Sequence, residues 1–194
     1  MKLALVQYNA GNITSVTYAL ERLGVSPVLT DDPEVLRTAD KVIFPGVGEA
    51  STAMAYLRAR GLDQVITHLK QPVLGICLGL QLLCESSAEN DTLCLGVFPH
   101  KVVRFPDADL KVPHMGWNNL THLRGPLGAD LGEHPYMYFV HSYYAETGPY
   151  TTAMTTYGPT FSAMLQKDNF FATQFHPEKS STPGAQLLRN FLAL

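Results

Sequence analysis

Between Lys2 and Ile76 the chain repeats one pattern: a short run apolar at every position, then a stretch with apolar residues every third or fourth place. Runs that are apolar on both faces and separated by helices call for a parallel sheet covered on each side. Lys2 to Tyr8, Val28-Leu29, Val42-Ile43-Phe44 and Val73-Leu74-Gly75-Ile76 are the expected strands. A turn at Gly11-Asn12 opens a helix carrying Ile13, Val16, Leu20 and Leu23 on one face, closed by Gly24. Pro33 suits the first position of a short helix. Helical spacing runs through Met54 and Leu57, breaks at Gly61, and resumes with Leu62, Val65, Ile66 and Leu69; another helix follows Cys77.

The second half is punctuated by Gly and Pro. Short strands are expected around Val97, Val102-Val103, Tyr136 to Val140, Ala153 to Tyr157, Phe161 to Leu165 and Phe170 to Phe175. A last helix from Pro183 to Leu194 turns Leu187, Leu188, Phe191 and Leu192 inward. With no linker and no internal repeat, one α/β domain over residues 1–194 is expected, antiparallel-rich in its second half. At 46% hydrophobic and 16% charged residues the chain is no disordered segment. A net charge of −3 argues against a general nucleic-acid or anionic-membrane binder. Cys77, Cys84 and Cys94 form neither a disulfide framework nor a CxxC pair, which suits a reducing cytoplasm. No stretch has the length of a membrane span.

Gly75-Ile76-Cys77-Leu78-Gly79 has the spacing of a nucleophile elbow with cysteine as the nucleophile. A tight strand-to-helix turn raises such a side chain above the sheet, where the helix N-terminus favours a thiolate. The amide of Leu78 would then face a developing oxyanion. Of seven histidines, His68 lies on a polar helix face, and His100, His122 and His134 read as loop residues on the surface. His176 instead follows the strand Phe170 to Phe175, at the edge where open α/β sheets place their sites. Pro177 bends the chain so that Glu178 can orient the imidazole, completing a Cys77–His176–Glu178 triad. Alone, the first pattern also fits a buried structural cysteine and the second an ordinary surface turn. No cluster has metal-ligand spacing: Cys77 and Cys84 are no zinc pair, and His114 and His141 stand alone.

Taken together, Pro45-Gly46-Val47-Gly48, Gly75-Ile76-Cys77-Leu78-Gly79-Leu80-Gln81 and His176-Pro177-Glu178 resemble, in order, the class I (triad) glutamine amidotransferases over most of the chain. The resemblance implies a flavodoxin-like open sheet and a glutamine thioester on Cys77, with His176 protonating the departing ammonia and then activating water. It further implies an oxyanion hole from the amides of Leu78 and Val47. Contacts to glutamine would come from Gly46, Gly48, Gln81, Ser142 and Tyr143. No cofactor and no metal are implied.

Ala10-Gly11-Asn12-Ile13-Thr14-Ser15-Val16, Val112-Pro113-His114-Met115-Gly116-Trp117-Asn118, Tyr138 to Tyr143 and His176 to Ser181 are similar to one branch of that family, the glutaminase subunits of imidazole glycerol phosphate synthase. This branch implies a heterodimer with a (β/α)₈ cyclase subunit, which receives the ammonia for histidine biosynthesis. The turns at Asn9 and Glu49-Ala50 depart from the branch pattern. About 194 residues with no phosphate-cradling loop offer no obvious second, ammonia-accepting domain. Trp117 and the run Tyr136-Met137-Tyr138-Phe139 are therefore candidates for a docking face, with Asn12, Lys179 and Ser180 as polar contacts. Alternating aromatics on a strand fit a core equally well. The competing readings are a triad glutaminase serving another synthase, such as pyridoxal phosphate synthase, a related cysteine peptidase, and a binding protein without turnover. The continuation Leu78-Gly79-Leu80-Gln81 argues against the first. The absence of histidine after Cys77 argues against the second.

Overall fold

The computed structural model describes residues 1–9, 11–107 and 110–194. In chain order it begins with β1 (Leu3–Val6), α1 (Ile13–Arg22), β2 (Val28–Thr30), α2 (Pro33–Arg37), β3 (Lys41–Gly46), α3 (Ala50–Ala59), α4 (Leu62–Thr67), β4 (Val73–Cys77) and α5 (Leu78–Leu83). There follow β5 (Cys84–Ser87), β6 (Thr92–Leu93), β7 (Phe98–Arg104), β8 (His114–Asn119), β9 (Tyr136–His141), β10 (Tyr143–Ala145), β11 (Thr151–Thr156), β12 (Thr160–Lys167), β13 (Phe170–Thr173) and α6 (Ser181–Ala193).

A seven-stranded sheet runs β11-β12-β13-β4-β3-β1-β2. Its five strands from β13 to β2 are parallel, and β12 and β11 add antiparallel at one edge. The parallel order is that of flavodoxin-like sheets, as the resemblance implied, and the connection direction reverses between β1 and β3. The apolar runs of β1, β3 and β4 are buried on both faces, whereas β2, at the sheet edge, leaves Val28 and Leu29 exposed, contrary to the expectation of a strand covered on each side. Ala4, Val6, Val42 and Phe44 pack with Met54, Leu57, Leu62 and Ile66 of α3 and α4. Leu3, Leu5, Ile43 and Phe171 pack with Val16 and Leu20 of α1 and Leu187, Leu188 and Phe191 of α6. Pro33 occupies the first turn of α2, where Asp32 caps the Glu34 amide at 2.8 Å.

The second half builds a four-stranded sheet, β10-β7-β5-β6, and the hairpin β8-β9. Here the sequence reading needs correction. His100 is no surface loop residue: it lies in β7 and is buried, with Nδ1 2.9 Å from the Glu146 carbonyl. The run at Val102-Val103 belongs to β7, which begins at Phe98 just after Val97, and β5, β6, β8 and β10 carry no strand pattern in the sequence. Gly116 and two asparagines, poor strand formers, hide β8, which is held by pairing with β9. Helix α6 begins at Ser181 rather than Pro183, because a proline inside the first turn gives up no helical hydrogen bond. No helix among the described residues is long and apolar enough to cross a membrane.

Candidate active site

Every catalytic candidate sits at the carboxyl edge of the parallel strands. Cys77 ends β4, the Pro45-Gly46-Val47-Gly48 loop leaves β3, and His176 follows β13, which pairs with β4. Cys77 has φ 54° and ψ −105°, a conformation that costs a non-glycine residue strain and lifts its side chain off the sheet. Gly79 makes the turn possible: a Cβ there would occupy the Phe44 carbonyl. All six residues of α5 are buried, which holds the elbow from behind.

His176 is fully buried, and its Nδ1 donates to Glu178 Oε1 at 2.7 Å across a 3₁₀ turn of Pro177–Lys179. Nε2 is also buried and has no hydrogen-bond partner among the described residues. Burial alone would push this imidazole down. The nearby Cys77, followed by the hydrogen bond and charge of Glu178, outweighs it and raises the group to about 10. The three residues thus form a cysteine–imidazolium–carboxylate line whose proton sits on histidine.

A cleft of about 240 Å³ opens over Cys77. Its lining includes Val47, Gly48, Leu78, Gln81, Ser142 and Tyr143. Gly46 lies behind rather than in the cleft, packed so closely that a Cβ would meet the Tyr8 hydroxyl. That hydroxyl donates to the Pro45 carbonyl at 2.7 Å. Burial, then the charge of Cys77, pushes it well above the usual phenol range, so it remains a donor. The Val47 carbonyl accepts from the Gly11 amide at 3.2 Å. The peptide carrying the Val47 amide is therefore bracketed by two anchored neighbours.

Several residues change role. Asn12, expected as a polar contact to a partner, is half-buried and donates its side-chain amide to Glu178 Oε1. Ser180, expected as a polar docking contact, is fully buried: its hydroxyl donates to the His176 carbonyl at 2.6 Å and accepts from the Tyr138 amide at 2.9 Å. His114 and His141 do not stand alone; the β8-β9 register pairs them, with Nδ1 of His114 3.1 Å from Nε2 of His141. The aromatic run of β9 divides by face. Met137 and Phe139 are buried, whereas Tyr136 is exposed and Tyr138 half-buried. Trp117 is exposed, with its ring 6.0 Å from that of Tyr138, and Lys179 is exposed nearby in sequence to the triad turn. Neither Trp117 nor Lys179 borders the cleft. Ala10, first residue of one quoted motif, lies outside the described residues.

Sequence reasoning missed Glu89 and Gln174. Glu89 borders the cleft and accepts from the Ala50 amide at 2.7 Å, at the start of α3. Gln174 is fully buried with its side-chain nitrogen 3.8 Å from Cys77 Sγ. A polar residue inside the apolar run before His176 was the available signal.

A family model described as glutamine amidotransferase class-I matches residues 5–194. The chain belongs to this family. The amidotransferase is 55% identical to imidazole glycerol phosphate synthase subunit HisH of Bacteroides fragilis strain YCH46, and 46% identical to the subunit of that name from Yersinia pestis. Both alignments span all of this chain and all of the relative. Among solved structures, PurLQS from Thermotoga maritima superposes with TM-score 0.70 at 17% identity, covering 99% of this chain and 97% of the other. A glutamine amidotransferase from the same organism gives 0.67 at 16%, covering 99% and 96%. These two share the amidotransferase's fold.

Proposed function

We propose that this amidotransferase hydrolyses glutamine to glutamate and ammonia, as the glutaminase subunit of imidazole glycerol phosphate synthase. The observation that carries the chemistry is the buried 2.7 Å His176–Glu178 hydrogen bond beside Cys77 beneath an open cleft. The Cys77 thiolate attacks the side-chain amide carbon of glutamine, forming a C–S bond. The amides of Leu78 and Val47 stabilise the oxyanion. His176 gives its proton to the departing nitrogen as the C–N bond breaks, then takes a proton from the water that opens the thioester.

Substrate grip follows from donors and acceptors. Gln81 uses its nitrogen on the Tyr143 carbonyl at 2.9 Å and on Gln174 Oε1 at 3.2 Å. Its oxygen is then the group offered to glutamine's ammonium. Glu89, on the same cleft, supplies a complementary carboxylate. Gly48, Ser142 and Tyr143 contribute backbone, and Gly46 acts by letting the loop pack on Tyr8.

The ammonia passes to a (β/α)₈ cyclase for imidazole glycerol phosphate formation in the cytoplasm. The names of the full-length relatives support this acceptor. Support for a docking face comes from the exposure of Met115, Trp117 and Tyr136 on one hairpin, flanked by Tyr138 and Lys179. The Gly46–Val47 peptide is a switch: its amide turns toward the oxyanion when the liganded cyclase docks. One oxyanion donor is worth on the order of 10²–10³ in rate. Glutamate release is expected to be slow for the chain alone and faster by about that factor with cyclase and its nucleotide ligand. Full-rate hydrolysis by the isolated chain would refute the switch. Activation only by an unrelated synthase would refute the assigned acceptor.

A further inference from the structure

A single hydrogen-bonded line joins the β8-β9 hairpin to the nucleophile. His141 Nδ1 lies 2.7 Å from the Tyr143 carbonyl oxygen, and His114 Nδ1 lies 3.1 Å from His141 Nε2. A carbonyl only accepts, so His141 carries its proton on Nδ1 and receives one from His114 at Nε2. The same carbonyl takes the Gln81 nitrogen at 2.9 Å, which uses both of its lone pairs. Gln81 therefore cannot be turned the other way round without setting two oxygens against each other. Its second N–H reaches Gln174 Oε1 at 3.2 Å. With its oxygen so occupied, Gln174 has one orientation left, and it aims the amide nitrogen at Cys77 Sγ, 3.8 Å away. Gln174 is fully buried, and Gln81, His114 and His141 are nearly so. Solvent has little access to these groups.

We propose that Gln174 is a catalytic donor to the Cys77 thiolate, its direction imposed by the Tyr143 carbonyl through Gln81. The inference rests on the glutaminase reading for its role in turnover, but its geometry concerns the sulfur alone. A hydrogen bond offered to the charged form favours that form, and donors to charged groups are stronger than neutral ones. Gln174 thus shares with His176 the task of keeping the sulfur ionised. After the thioester forms, the charge is gone and this donor has less to hold, so its support falls on the attacking state.

The test is the pH dependence of Cys77 alkylation by iodoacetamide, followed on the Cys77 peptide by mass spectrometry so that Cys84 and Cys94 do not contribute. Gln174→Met is expected to move the midpoint up by about one pH unit and to lower kcat roughly tenfold, with KM for glutamine changed less than about threefold. Gln174→Glu is expected to move it further. A carboxylate still accepts from Gln81 but sets an anion against the sulfur. A purely structural role predicts the reverse order, since Glu matches the shape and keeps the Gln81 contact. Unchanged midpoints in both variants would overturn the proposal. If either variant fails to melt cooperatively, the wild-type chain decides. The Gln174 side-chain amide resonances should move as Cys77 titrates and stay still in Cys77→Ala; resonances that ignore the titration overturn the donor. Glutamate release by Cys77→Ala would remove the glutaminase reading while leaving the alkylation result to stand or fall by itself.

Discussion

His176 is held charged and the His114–His141 pair is held neutral, although all three rings are buried. Burial pushes each of them down. For His114 burial acts alone and the ring settles at about 4. For His141 burial leads, the hydrogen bond to the Tyr143 carbonyl resists, and the neighbouring His114 and His176 add to the fall, giving about 3. At His176 two anionic partners, Cys77 and Glu178, reverse the direction. Burial therefore does not decide the charge of a histidine in this molecule; the company of an anion does. The neutral pair can pass a fixed hydrogen-bond polarity along, whereas the charged ring can deliver a proton.

Removing the sulfur breaks the comparison most completely. Cys77→Ala is expected to lose glutamine hydrolysis by several orders of magnitude while keeping its fold. The same change should drop His176 from about 10 toward the ordinary histidine range, because Cys77 heads the causes that raise it. A titration of His176 by NMR reads the second effect. Near wild-type glutamate release by the folded variant would end the triad assignment, and a diazo-ketone glutamine analogue should label Cys77 alone among the three cysteines.

The two partners of Cys77 should separate next. His176→Ala is expected to be nearly inactive, since the proton carrier is gone. Glu178→Gln should retain measurable turnover through the oxyanion and binding contributions that survive. It should also lower His176 less than Cys77→Ala does. Wild-type kinetics in Glu178→Gln would make that carboxylate a bystander.

Stability against pH gives the smallest and sharpest contrast. His176 binds its proton more tightly when folded, so its contribution is complete below about 6.5 and is lost as pH rises through about 10. His114 and His141 bind theirs less tightly when folded. Their contribution is complete above about 6.5 and is lost as pH falls toward 4 and 3. Urea midpoints should thus decline from pH 7 to pH 4, and His114→Gln should flatten that decline. An unchanged acid slope in His114→Gln would show that the pair ionises freely in the native chain.

The placing of His176 against Glu178, and the strand-to-helix turn at Cys77, were legible because each is a local turn with its own residue grammar: glycines around Cys77, and proline between His176 and Glu178. The parallel core was legible for a similar reason, since Leu3 to Val6 and Val73 to Ile76 are apolar on both faces. What escaped depends on which strands become neighbours. Gln174 meets Cys77 only because β13 pairs with β4, across 97 positions of sequence. His114 meets His141 only in the β8-β9 register. Asn12 and Ser180 looked like surface residues because their partners, Glu178 and Tyr138, come from elsewhere in the chain.

The Ser180 contacts carry one more consequence. Tyr138 gives its amide to Ser180 Oγ and takes the His176 amide on its carbonyl at 2.9 Å, while Ser180 also grips the His176 carbonyl. The middle of the exposed hairpin and the turn holding the imidazole are thereby stitched on both sides. Neither backbone can open without the other, so their amides should exchange with deuterium as one cooperative unit. A partner resting on the Tyr138 ring has no need to reach the catalytic cleft: by slowing the opening of one strand it slows the breathing of the turn that carries the proton.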